Sequence, residues 1–184
     1  MQKRNDSTRP MALCALFCAI IMVCAFISIP VFAVPITLQL FGIYIALYLL
    51  GGRLATVSVA LYVVLGAIGL PVFSGFSGGL GRLFDATGGF IFGFLVICIT
   101  FWLVTTMIKD KRVAKITATA ISIASFYLIG SIWYSIVYLG GISHLGVAFI
   151  TVVLPFVIPD LIKIILAYII SERDLFKSNL HNIK

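Results

Sequence analysis

The chain has 184 residues, 62% of them hydrophobic and only 10% charged, with a formal net charge of +7. A soluble domain is nearer half apolar and a quarter charged, so these proportions exclude an ordinary water-soluble fold and put the bulk of the chain in a bilayer. The positive charge, which in a soluble protein would raise nucleic acid as a partner, reads here as basic loops on one side of a membrane.

A crossing takes about 20 apolar residues. Six are predicted, over 11–30, 36–52, 54–70, 88–108, 115–139 and 148–171, as one all-α bundle in a single membrane domain, 1–184. The first is read as a retained helix. Its apolar stretch from Met11 to Ile29 exceeds the roughly 7–15 residues of a signal-peptide core, and Val31 makes Ala33 a poor cleavage position. It carries Ala12, Ala15 and Ala19, with Ala15 and Ala19 in a small-xxx-small pattern. Such spacing lets helices approach closely, either within the bundle or against a second membrane protein. Cys14, Cys18, Cys24 and Cys98 all fall in apolar spans and read as packing residues, with no metal or cofactor implied.

Before the second span, Pro30 and Pro35 fix an extended approach. Thr37 and Gln39 follow near its mouth, either to cap the helix or to donate to a solute. Spans two and three are joined closely at Gly51-Gly52-Arg53. Between spans three and four, residues 69–89 hold seven glycines, yet Leu70, Phe73, Phe76, Leu80 and Phe84 make the loop too apolar for a solvated linker. Irregular backbone at a membrane surface needs partners for its polar groups. A compact cap and a ligand-contacting loop both satisfy that need. In span five, Trp133 and Tyr134 sit deeper than Tyr138, as part of an aromatic belt or as the wall of a pocket. His144, in the last loop, reads as solvated.

The last span holds the sharpest signal. Asp160 and Lys163 are its only charges, in Pro159-Asp160-Leu161-Ile162-Lys163. A charge at membrane depth costs at least about 2.5–3.5 kcal/mol on insertion scales, so it rarely persists without a partner or a task. The i, i+3 spacing puts both on one helix face. Pro155 and Pro159 remove backbone donors and predict a bend where the charges begin. An ion pair that only staples the bundle is one reading. A ligand site is favoured, because desolvation roughly offsets the attraction of a bare buried pair. No nucleophile–base constellation accompanies Asp160, which argues against an intramembrane enzyme.

Charge asymmetry sets the orientation. Lys3, Arg4, Arg9, Arg53, Lys109, Lys111, Arg112, Lys115, Arg173, Lys177 and Lys184 all fall on one side, whereas the opposite loops carry only Arg82. The positive-inside rule then puts both termini in the cytoplasm of a cell-membrane protein.

Taken together, Val34-Pro-Ile-Thr-Leu-Gln39, Gly69-Leu-Pro-Val-Phe73, Thr87-Gly-Gly-Phe-Ile-Phe-Gly-Phe94 and Pro159-Asp-Leu-Ile-Lys163 resemble the BioY family. These are the biotin-binding S components of energy-coupling-factor (ECF) vitamin transporters. Asp85 departs from the usual Gly-Pro-Thr-Gly-Gly pattern, and Ser77 stands where a ligand-contacting asparagine can occur. The resemblance implies six helices around a biotin pocket near the outer face, without ATPase machinery of its own. It also implies a transmembrane coupling protein and cytoplasmic ATPases as partners, with Ala15 and Ala19, extended to Ala12, facing the coupling protein.

Biotin's chemistry fits the residues. An ionised Asp160 only accepts and Lys163 only donates, so the pair complements a ureido edge, with Asp160 on N–H and Lys163 on the carbonyl. Arg82 is then the basic residue placed to meet the valerate carboxylate. Gln39 and Ser77 supply polar contacts, and Phe73, Phe76 and Trp133 wall the apolar bicycle.

Overall fold

The computed structural model describes residues 8–30 and 34–173. Lys3, Arg4, Lys177 and Lys184, used above for orientation, and Val31 and Ala33, used for the cleavage argument, lie outside the described residues. The fold is helical: α1 (Thr8–Phe26), α2 (Gln39–Leu50), α3 (Gly52–Ala67), α4 (Leu80–Leu83), α5 (Gly88–Met107), α6 (Lys111–Val137), α7 (Leu145–Val152) and α8 (Leu154–Glu172). A two-residue antiparallel pairing, β1 (Ser28–Ile29) with β2 (Ile36–Thr37), closes the approach from α1 to α2.

Among the described residues, four helices are long and apolar enough to cross a membrane: α1, α5, α6 and α8. The stretches expected as spans two and three form α2 and α3, which are shorter. Leu16, Val23, Leu103, Ile121, Leu128, Ile165 and Ile169 are all exposed. A bare surface of that kind would drive aggregation in water. Lipid tails are its natural solvent, and the chain is a multi-pass membrane protein.

Local chemistry explains the boundaries. Asp110 caps α6, its carboxylate accepting from the backbone N–H of Arg112 (2.9 Å) and of Val113 (3.0 Å). Those amide bonds, from Val113 first and then Arg112, hold its carboxyl below the usual carboxylate range. Gly51, at φ 82, ends α2 and starts α3 in one residue. That conformation is cheap only for glycine.

The last expected span is two helices. The break falls at Val153, ahead of both prolines rather than at the charges. Pro155 lies in the first turn of α8, where its missing N–H has no intrahelical acceptor to lose. Pro159 lies inside α8, which carries Asp160 and Lys163 without interruption.

Packing is pairwise along the helices: α5 on α6, α3 on both α1 and α5, and α2 on α8. Polar side chains join α2 to α6. The Tyr44 hydroxyl pairs with Ser122 Oγ at 2.9 Å, and the Tyr48 hydroxyl with Thr119 Oγ1 at 2.8 Å. In a bilayer such groups find no water, so each supplies the other's partner.

Candidate functional site

On α8 the buried residues Phe156, Asp160, Lys163, Ile164 and Ala167 recur at three- and four-residue spacing and form one inward stripe. Ile158, Leu161, Ile162, Ile165 and Leu166 cover the opposite, exposed face. The helical period therefore turns both charges away from lipid. Asp160 is 3% exposed and Lys163 7%.

The Lys163 ammonium donates to Asp160 Oδ1 at 2.7 Å. The Tyr127 hydroxyl, from α6, donates to Asp160 Oδ2 at 2.9 Å. Both carboxylate oxygens thus have a donor, which is the condition for holding an ion in a low-dielectric interior.

These groups form one end of a cavity with about 650 Å³ of empty space, counting the part open to solvent. That size falls in the range of small-molecule pockets. Its walls are aromatic, from Phe73, Phe90, Phe94, Phe126 and Phe156. Phe126 stacks on Phe94 and meets Phe90 edge-on, which fixes that wall.

Phe73 is set by a close approach. Its ring packs edge-on against Tyr62, and its tip lies where a side chain on Gly66 would stand. Gly66→Ala is expected to push the ring toward the cavity and to cost about 1–3 kcal/mol, the usual range for overpacking. A thermal melt in detergent checks this; an unshifted midpoint would show that the ring yields freely.

Five of the sequence-proposed residues line the cavity together: Asp160, Lys163, Gln39, Phe73 and Arg82. Gln39 is buried, accepting from Thr37 Oγ1 at 2.8 Å and donating to the Tyr62 hydroxyl at 2.6 Å. Arg82, on α4, is held by Asp85 at 2.8 Å through Nη1 and by Ser77 Oγ at 3.0 Å through Nε. A guanidinium has five N–H donors, so this leaves some for a further acceptor.

Three others stand outside the lining. Ser77 is turned into its own loop, donating to the Ser74 carbonyl while accepting from Arg82. Phe76, 67% exposed and at a left-handed φ of 55, stacks on Phe26 at 4.4 Å between ring centres. Trp133 covers Gly89, and its indole N–H donates to the Asp85 carbonyl at 2.9 Å. It therefore ties the glycine-rich loop to α6. Ala12, Ala15 and Ala19 are exposed on α1, on the same surface as Met11, Leu16 and Val23.

Sequence reasoning passed over Tyr127 and the aromatic wall. A phenylalanine in an apolar span carries no sign of whether it meets lipid, core or cavity. Tyr127 did carry one: a hydroxyl at membrane depth requires a partner.

The arrangement can hold a solute with an apolar body. One end of the cavity offers a buried acceptor and donor side by side, and a cation stands elsewhere in its lining. The fold and this cavity define a helical, multi-pass membrane protein whose only intramembrane ion pair among the described residues faces an interior space.

The sequence pattern of the BioY family matches residues 1–177. A probable biotin transporter BioY of Pyrococcus horikoshii is 37% identical over 167 residues, covering 90% of this chain and 95% of that protein. The biotin transporter BioY of Thermotoga maritima is also 37% identical, over 86% of this chain and 90% of its own length. The crystal structure of the S-component for biotin from an ECF-type ABC transporter superposes with a TM-score of 0.80. It has 27% sequence identity and covers 93% of each chain. The chain belongs to the BioY family.

Proposed function

We infer that this chain is the substrate-binding membrane subunit of a vitamin uptake transporter. It captures biotin from the outer side and passes it inward with an ATPase-driven coupling module. The observation that carries this reading is the Asp160–Lys163 pair, buried in the membrane yet facing a cavity. Asp160 accepts a ureido N–H and Lys163 donates to the ureido carbonyl. The aromatic wall takes the bicycle, and Arg82 meets the valerate carboxylate. Ser77 and Trp133 serve the site through Arg82 and Asp85, and Phe76 fastens the loop over α1.

The bundle crosses the membrane six times as one domain, with α2 and α3 as short crossings and α7 with α8 as a broken one. Both termini are cytoplasmic, because the basic residues cluster at that face. The exposed alanines of α1, Ala12, Ala15 and Ala19, form the docking face for a transmembrane coupling protein, which links the subunit to its ATPases.

Calorimetric titration of the purified chain tests the ligand. Biotin is expected to bind saturably at one site, with no heat from riboflavin or thiamine at matched concentration. Absence of biotin binding by folded protein would overturn the reading. Arg82→Gln is expected to weaken biotin about tenfold, or about 1.4 kcal/mol, while leaving biotin methyl ester, which lacks the carboxylate charge, unchanged. Equal loss for acid and ester would remove Arg82 from the carboxylate.

A further inference from the structure

We propose that Tyr127 is the positioning residue that aims the Asp160 carboxylate at the ligand, so that recognition of the ureido N–H depends on the Tyr127 hydroxyl. The inference rests on the biotin reading above and deepens it.

The carboxyl group of an aspartate turns about a soft, roughly two-fold torsion. Lys163 restrains it from the same helix, through Oδ1. That contact moves with α8 and leaves the carboxylate plane undefined relative to the opposite wall. Tyr127 supplies the second point, on Oδ2, from α6. Its direction is fixed by chemistry: an ionised carboxylate has no proton to give, so the phenol must donate.

The ring bearing this hydroxyl is itself held. It packs on Phe126, which is stacked on Phe94 and meets Phe90 edge-on. Gly93 and Gly130 lie beneath the Phe126 and Phe90 rings, where any side chain would collide with them. Tyr127 therefore reports the position of the cavity wall to the carboxylate. Tyr127 also lines the cavity, beside Asp160 and Lys163.

Lys163 has three N–H donors and can keep one on Asp160 while another turns to a ligand carbonyl. Each carboxylate oxygen has a second lone-pair site that stays open to a ligand N–H. Binding thus needs the carboxylate held in place rather than freed. Without the Tyr127 hydroxyl the carboxylate can swing to give Lys163 both oxygens, and the site loses its acceptor.

The test uses the full chain in detergent, titrated with biotin. Tyr127→Phe keeps the ring and removes the hydroxyl. It is expected to weaken biotin about tenfold, the scale of one hydrogen bond to a charged group. In the Asp160→Asn background, titrated by competition at millimolar biotin, the same change is expected to cost less than twofold. A residue acting through Asp160 has nothing further to lose there. An unchanged dissociation constant for Tyr127→Phe, or an equal loss in both backgrounds, overturns the proposal. If Tyr127→Phe does not fold, Tyr127→Gln keeps a donor and is compared with Tyr127→Leu. Equal affinities of those two overturn it as well. Failure of the unaltered chain to bind biotin defeats the transport reading instead, so the two failures are distinguishable.

Discussion

Lys163→Met alone will destabilise the protein by about 3–5 kcal/mol, whereas Asp160→Leu combined with Lys163→Met will restore most of that stability and still bind no biotin. The single change leaves a carboxylate buried without its cation, and uncompensated charge is what makes half of such a pair so costly. Removing both charges returns apolar side chains to an apolar interior, which in many proteins is neutral or better. The pair then costs the fold something that only its ligand contacts justify. Thermal melts in detergent and titrations on the same three proteins separate the two effects. A double variant as unstable as the single one would make the pair a structural staple. A double variant that still bound biotin would move the site elsewhere.

Ala15→Trp combined with Ala19→Trp will abolish uptake in cells supplied with the coupling proteins, with the biotin dissociation constant changed by less than twofold. Both alanines are exposed on α1. Neither lines the cavity. A large ring on that surface costs the bundle little, because it replaces lipid contact with lipid contact. Against a neighbouring helix it forces the backbones apart and removes the close approach that small residues allow. Co-purification of the coupling protein, uptake of labelled biotin and titration of the purified subunit are the three readouts. Full uptake by the variant would assign the alanine face to lipid.

The long spans were legible because their apolar composition has no alternative explanation. The predicted ranges for α1, α5 and α6 agree with the helices within a few residues. The break at Val153 was not. Prolines at 155 and 159 announced trouble in the last span, but proline is compatible with a first helical turn, so the helix restarts around Pro155 instead of ending there.

The site divides along the same physical line. Asp160 and Lys163 stand out because charge in oil is expensive, and Gln39 and Arg82 because polar groups are rare in their segments. The aromatic residues do not stand out. Phe73 and Phe76 are alike in sequence, yet a glycine on α3 lets one ring in, while a left-handed backbone turns the other toward Phe26. Only tertiary contacts decide between them. Asp85 illustrates the converse. As a departure from the usual pattern it signalled nothing in particular, but it holds Arg82 by its carboxylate and accepts from Trp133 at its carbonyl.

The hydroxyl pairs between α2 and α6 have a consequence for how cargo leaves. Tyr44 with Ser122, and Tyr48 with Thr119, lie successive turns away from Gln39 and Tyr127, toward the basic end of the molecule. Tyr44 is fully buried. These rungs make the chamber a vessel with a single mouth. A guest admitted from one side of the membrane finds no drain beneath it, so emptying such a vessel on the far side requires tipping it over.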